Sequence, residues 1–233
     1  ENNHYTVGLL WKNDSEDLPN NRSIAISRFL NLEEKFKRQP ELKVKYSNEI
    51  EEYIRKGYAK KLTFQEANIT STKTNYIPHH AVVNINKPNK VRIVFDAAAK
   101  YKQSCLNEQL FKGPDLLNNL VGIIMRFRQG IIGVIGDIEQ MFHQVKVMEK
   151  DRDSIRFVWR DNPNKPIKDY IMTVHLFGKV DSPCCCNWAL RQTATNYRGG
   201  YDQEIAETIT RYFYMNDYLN SFPSKEKAIE ITS

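Results

Sequence analysis

The chain has 233 residues, 41% hydrophobic and 27% charged, with 34 Lys and Arg against 28 Asp and Glu for a net charge of +6. That is ordinary globular usage, with material for one large domain or two small ones, and it argues against a disordered chain. No apolar run reaches membrane-span length, and the mild basic excess suits a nucleic-acid partner without requiring one.

The polar start, Glu1 to His4, has none of the features of a secretion signal. Residues 1–22 read as an N-terminal extension with one apolar patch, Val7 to Trp11. Ser23 to Arg38 sets Ile26, Phe29, Leu32 and Phe36 at helical spacing. Pro40 opens a second helix that runs to Lys56, with Gly57 as its C-cap. The charged outer faces of both helices read as solvated. Glu66 to Asn75, rich in Thr and Asn, is predicted as loop. His79 and His80 are adjacent, so a strand would point them to opposite sides and they could not share a metal. Two β-branched runs, Ala81–Ile85 and Val91–Phe95, predict a hairpin with a basic tip carrying Lys87 and Lys90.

A helix is predicted from Asp115 to Arg128, ended by Gly130. Ile131 to Gly136 is an apolar run of strand length that ends on Asp137, as a buried strand delivering a carboxylate to a sheet rim would. Strands at Ile155–Trp159 and Tyr170–His175 flank a turn with two prolines. Pro183 to Asn196 reads as a helix capped by Ser182. After the break at Gly199-Gly200 come a short helix, Gln203–Thr210, and aromatic arms around Asn216-Asp217, a hairpin-turn pair. A last helix runs from Lys225 to Ile231. Cys105 and the run Cys184-Cys185-Cys186 lack the spacing of a disulfide framework or a zinc site. They read as reduced residues of an intracellular protein, cytoplasmic or nuclear.

Asp137-Ile138-Glu139-Gln140-Met141-Phe142 resembles the D-x-x-x-x-F/Y palm motif of reverse transcriptases. Tyr214-Met215-Asn216-Asp217 resembles their Y-x-D-D motif, with Asn216 where the first Asp belongs. Leu176 to Pro183 is similar to the Gly-rich turn that ends in Ser-Pro before a palm helix, with Lys179 and Asp181 in place of small residues. Tyr76 to Val82, Arg92 to Ala97, Gly113 to Asn118, Asp137 to Val145 and Val174 to Gly178 look, together, like the Pao/BEL class of LTR retrotransposons.

The resemblance implies an α+β fold of fingers and palm, with an antiparallel palm sheet and helices on one face. Fingers would be mainly 23–136, including the hairpin 81–96, and palm mainly 137–233, stopping before a thumb. Asp137 would bridge two Mg²⁺ ions, with Asp217 and the carbonyl of Ile138 as further ligands. Arg92, with Lys90 or Lys87, would meet the triphosphate. Phe142 would lie under the sugar, and Ser182 beside the nucleotide. Partners would be an RNA or DNA template–primer and deoxynucleotides.

Asn216 removes one negative charge from that site, so the expectation is weakened Mg²⁺ binding and lost or very weak RNA-directed DNA polymerase activity. An active polymerase fragment and a host-recruited, non-enzymatic binding or scaffold protein are the alternatives. Tyr218, Leu219, Phe222, Ile229 and Ile231 crowd a short segment, which predicts either a protein partner, a second copy included, on the C-terminal side of the palm or a longer native chain.

Overall fold

The computed structural model describes residues 4–13, 17–84, 87–196 and 203–232, with backbone alone for 84, 87–90 and 203. In chain order the elements are β1 (Thr6–Val7), α1 (Arg22–Arg38), α2 (Pro40–Arg55), β2 (Ala59–Lys61), α3 (Phe64–Asn68), β3 (His79–Asn84) and β4 (Lys87–Phe95). There follow α4 (Leu120–Phe127), β5 (Ile132–Asp137), β6 (Lys146–Val147), β7 (Arg156–Trp159), β8 (Lys168–Met172), α5 (Ser182–Asn196), α6 (Gln203–Arg211), β9 (Phe213–Tyr214), β10 (Asp217–Phe222) and α7 (Lys225–Thr232). The chain forms two compact units: 1–112 with 146–182, and 113–145 with 183–233.

In the first unit, α1 buries Ala25, Phe29, Leu32 and Phe36, and α2 buries Leu42, Tyr46, Ile50 and Tyr53. Each set recurs every three or four residues, which puts it on one helical face. Gly57 follows α2 at a φ of +74°, a left-handed exit that glycine takes without a Cβ penalty. The expected loop after β2 contains α3. Thr63 accepts from the Glu66 N–H while the Glu66 carboxylate accepts from the Thr63 N–H, a reciprocal cap that nucleates the short helix.

Among the described residues of this unit the sheets are the hairpin β3–β4, the order β2-β8-β7, and β1 beside β6 in parallel. Alternation along β3 buries His79 and leaves His80 exposed, as adjacent strand positions require. His79 joins Phe29, Tyr46, Phe95, Phe157 and Trp159 in an aromatic cluster. Its Nε2 lies 2.8 Å from the Val158 carbonyl and its Nδ1 2.5 Å from the Tyr46 hydroxyl. Burial lowers its pKa to about 4, so at neutral pH Nε2–H donates and Nδ1 accepts. The N-terminal segment is seated by buried Asp151, which accepts from the Leu9 N–H at 3.0 Å and the Trp11 indole at 2.9 Å.

The second unit holds the antiparallel sheet β5-β10-β9. Its helix α4 is shorter than the sequence suggests. The Asp115 carboxylate takes the Leu117 N–H in a local turn, and Asn119 caps the helix by accepting from Gly122. β5 is not the buried strand that its apolar run predicts. It alternates half-buried Ile132, Val134 and Gly136 with exposed Gly133, Ile135 and Asp137, and Ile135 is 71% exposed. A run of Ile, Val and Gly hides this alternation, because every position reads as apolar or small. At the C-terminal end, Tyr218 and Phe222 are buried and Leu219 and Ile231 half-buried, so much of the expected exposed patch is absorbed by this unit's own core; Ile229 stays exposed.

Candidate active site

β5 and β10 run antiparallel with Asp137 directly opposite Asp217. Directly opposed residues share a sheet face with Cβ atoms about 4.5–5.5 Å apart. Ile135 and Leu219 follow on that face, exposed and half-buried, and beyond them α4 covers its far end, with Phe127 against Gly133 and the Ser221 hydroxyl donating to the Arg126 carbonyl at 3.0 Å, while Tyr218, Asn220 and Phe222 point the other way into the core. Both carboxylates therefore lie side by side at the exposed end of that face.

The turn joining β9 to β10 is Met215-Asn216, one residue earlier than the Asn216-Asp217 pair the sequence suggests; Asp217 is already in β10, opposite Tyr214. Met215 supplies the left-handed position, at a φ of +55°. This places Asn216 at the tip, beside Asp137. Its carbonyl accepts from the Ile138 N–H at 2.9 Å, and its side-chain NH₂ donates to Asp137 Oδ1. Only the NH₂ end of an amide can approach a carboxylate favourably. Asn216 thus does more than omit a charge, for it occupies one oxygen of the carboxylate next to it.

This donor set fits one divalent cation better than two. Asp137 and Asp217 offer hard oxygens on one face, and the resemblance adds the Ile138 carbonyl as an expected further ligand. Among the described residues, no third carboxylate, histidine or cysteine completes a three-ligand cluster with them.

Phe142 sits in a 3-10 turn, Met141–Gln144, and is 6% exposed. The Cys186 thiol of α5 reaches its carbonyl at 3.9 Å. Asn187, on the same helix, contacts the Met215 sulfur at 3.7 Å and ties α5 to the turn.

The remaining sequence-assigned residues lie in the first unit. Arg92 stands exposed on β4 opposite Val82, with no ion pair among the described residues. The side chains of Lys87 and Lys90 lie outside the described residues. Ser182 opens α5 fully buried, and its hydroxyl has no partner among the described residues, so it does not cap the helix as expected. Lys179 and Asp181 form an ion pair at 3.3 Å, both at 0% exposure. Asp181 also accepts from the Leu10 N–H at 3.4 Å. Gly178 turns the chain ahead of them at a φ of +99°, and a Cβ there would lie 2.2 Å from the Phe95 carbonyl oxygen. Nothing in the sequence taken alone paired Lys179 with Asp181 or Asn216 with Asp137; each partnership exists only once the fold joins them.

Among solved structures, the chain is similar to the prototype foamy virus protease-reverse transcriptase CSH mutant, with a TM-score of 0.61 and 14% identity over 98% of this chain and 25% of that one. The foamy viral protease-reverse transcriptase in complex with RNA/DNA hybrid gives a TM-score of 0.59 and 13% identity over 98% of this chain and 25% of the other. The form in complex with double-stranded DNA gives 0.55 and 15% over 77% and 26%. The fold is reverse-transcriptase-like. The chain spans about a quarter of those proteins. No family model and no curated protein matches it. Within it, Asp137 and Asp217 are set directly opposite each other on neighbouring antiparallel strands.

Proposed function

We propose that the chain is the fingers–palm part of a Pao/BEL-type reverse transcriptase that holds template–primer and has lost most or all of its polymerase activity. The palm would be the β5-β10-β9 sheet and its helices, and the fingers would include the β3–β4 hairpin. One observation carries the reading: Asp137 and Asp217, 80 positions apart in the sequence, are direct partners across two strands, with the Asn216 amide on Asp137. Arg92 suits a phosphate contact, since its planar guanidinium is exposed and makes no ion pair among the described residues. A divalent cation held by Asp137 and Asp217 would neutralise charge on the transferring phosphate. With Asn216 in place the site lacks the third negative charge, and transition-state charge stabilisation is the main demand of this chemistry. Phe142, five residues after Asp137, is a buried ring in this structure, and a sugar gate would need that ring uncovered.

The test compares wild type and Asn216→Asp for template–primer binding and single-nucleotide incorporation in Mg²⁺. Both proteins should bind duplex alike. Incorporation should be absent or barely measurable in wild type and rise at least about a hundredfold in the variant, the scale of one lost electrostatic stabiliser. Equal incorporation would overturn the degenerate reading, and absence of duplex binding by both would overturn the reading as a whole.

A further inference from the structure

The first unit carries a second candidate binding site that owes nothing to the two aspartates. A cavity of about 650 Å³ opens between the start of α1, the β2–α3 corner, Tyr76 and the start of β8. That volume is in the range of small-ligand sites.

Its walls are held by buried polar contacts. Asn21 exchanges two hydrogen bonds with the Tyr76 backbone, at 2.6 and 2.8 Å. Arg156, itself buried, donates to the carbonyls of Ala67 at 3.2 Å and Ile69 at 2.7 Å, which fixes the chain leaving α3. Asp169 holds the Arg22 guanidinium through Nε at 2.7 Å and Nη2 at 3.1 Å. Three elements that sequence leaves far apart are thereby pre-set around one space.

The lining has a definite chemistry. Among the described residues of the lining, Arg22, Lys61 and Lys168 stand against one carboxylate, Asp169, which Arg22 already engages. Lys61 and Lys168 are exposed and make no ion pair among the described residues. Arg22 spends two of its five N–H groups on Asp169, leaving others to donate. Phe64 is 84% exposed, a large ring left in water at the rim. Buried Leu62 and Tyr76 form an apolar floor. A flat ring in water beside unneutralised cations is the combination that takes a nucleobase by stacking and its phosphate by charge.

We propose that this cavity binds a nucleoside phosphate unit, base against Phe64 and phosphate against Lys61 and Lys168, as part of a single-stranded polynucleotide. The same chemistry would admit a free nucleoside monophosphate, so the experiment separates the two.

Fluorescence anisotropy with a labelled ten-nucleotide single-stranded RNA measures affinity for wild type, Phe64→Ala and Lys61→Ala/Lys168→Ala, with unlabelled AMP as competitor. The mutated residues are exposed, so the variants should fold, and their melting curves confirm it. Phe64→Ala should weaken binding about tenfold, the loss typical of one stacked base. The double lysine variant should lower the salt slope by about 1.4, two single-strand phosphate contacts. Template–primer duplex affinity should stay unchanged in all three proteins. Competition by millimolar AMP that abolishes all RNA binding would reassign the site to a free nucleotide and overturn the polynucleotide proposal. Unchanged RNA affinity in both variants, or binding of an acidic peptide in its place, would overturn the site itself. Because duplex binding is read in the same series, a failed polymerase reading and a failed cavity proposal give different patterns.

Discussion

Lys179 and Asp181 show how a buried charge survives at the level of single residues. Each alone is at odds with a tight turn beside a helix start, and together they neutralise each other at 0% exposure. Leaving either without the other strands an uncompensated charge in the interior. Lys179→Met or Asp181→Leu alone should cost about 3–5 kcal/mol, whereas the double variant should lie within about 1 kcal/mol of wild type. Urea denaturation of the four proteins checks this, and additive single costs would show that the pair is not coupled. Burial first, and then the Lys179 charge, also hold the buried His175 well below its usual pKa.

His79 makes a pH-dependent contribution with a definite sign. Its folded pKa is about 4, and an unfolded histidine titrates near 6.5. Between those values the unfolded chain binds a proton that the native one refuses. The stabilisation is therefore complete above about pH 6.5 and is lost as pH falls towards 4, by an amount on the order of 3 kcal/mol. Stability measured between pH 4 and 7 should show that decline, and His79→Gln should flatten it. A parallel decline in the variant would place the effect elsewhere.

At the scale of elements, Arg156 links β7 to the loop after α3. Besides the carbonyls of Ala67 and Ile69 it binds Asp153 at 2.7 Å. Arg156→Ala should therefore raise amide exchange across 64–75 by at least about tenfold while α1 and α2 keep their protection. Uniform loss of protection would instead mean that Arg156 holds the whole unit. The elements legible in sequence are those whose signal is long or chemically distinct. Helices α1 and α2 follow from the spacing of Phe29, Leu32 and Phe36 and of Ile50 and Tyr53, and the β3–β4 hairpin from its β-branched arms. α3 is five residues long, too short for periodicity, and only its Thr63–Glu66 cap announces it. α4 starts late because Asp115 turns the chain by its own side chain. The pairing of Asp137 with Asp217 was foreseeable from two motifs, but the NH₂ of Asn216 on Asp137 was not, since it depends on Met215 taking the left-handed turn position.

For the whole molecule, a reverse-transcriptase-like fold presents its carboxylate pair at the exposed end of a strand pair and a hairpin of basic sequence elsewhere in the chain. If that hairpin meets backbone phosphates, replacing Lys87, Lys90 and Arg92 together by Ala should lower duplex affinity and reduce the salt slope by about 2–3, at close to one per phosphate contact. An unchanged slope would remove the hairpin from the nucleic-acid surface.

The central claim is that Asn216 both withdraws a charge and engages Asp137, so that the pair retains one cation position. Counting bound Mn²⁺ by the loss of its free-ion paramagnetic resonance signal tests this directly. Wild type should take up one ion weakly, Asn216→Asp two with at least one about tenfold tighter, and Asp137→Asn none at the same concentrations. Two equivalent ions bound by wild type, or uptake unaffected by Asp137→Asn, would contradict it.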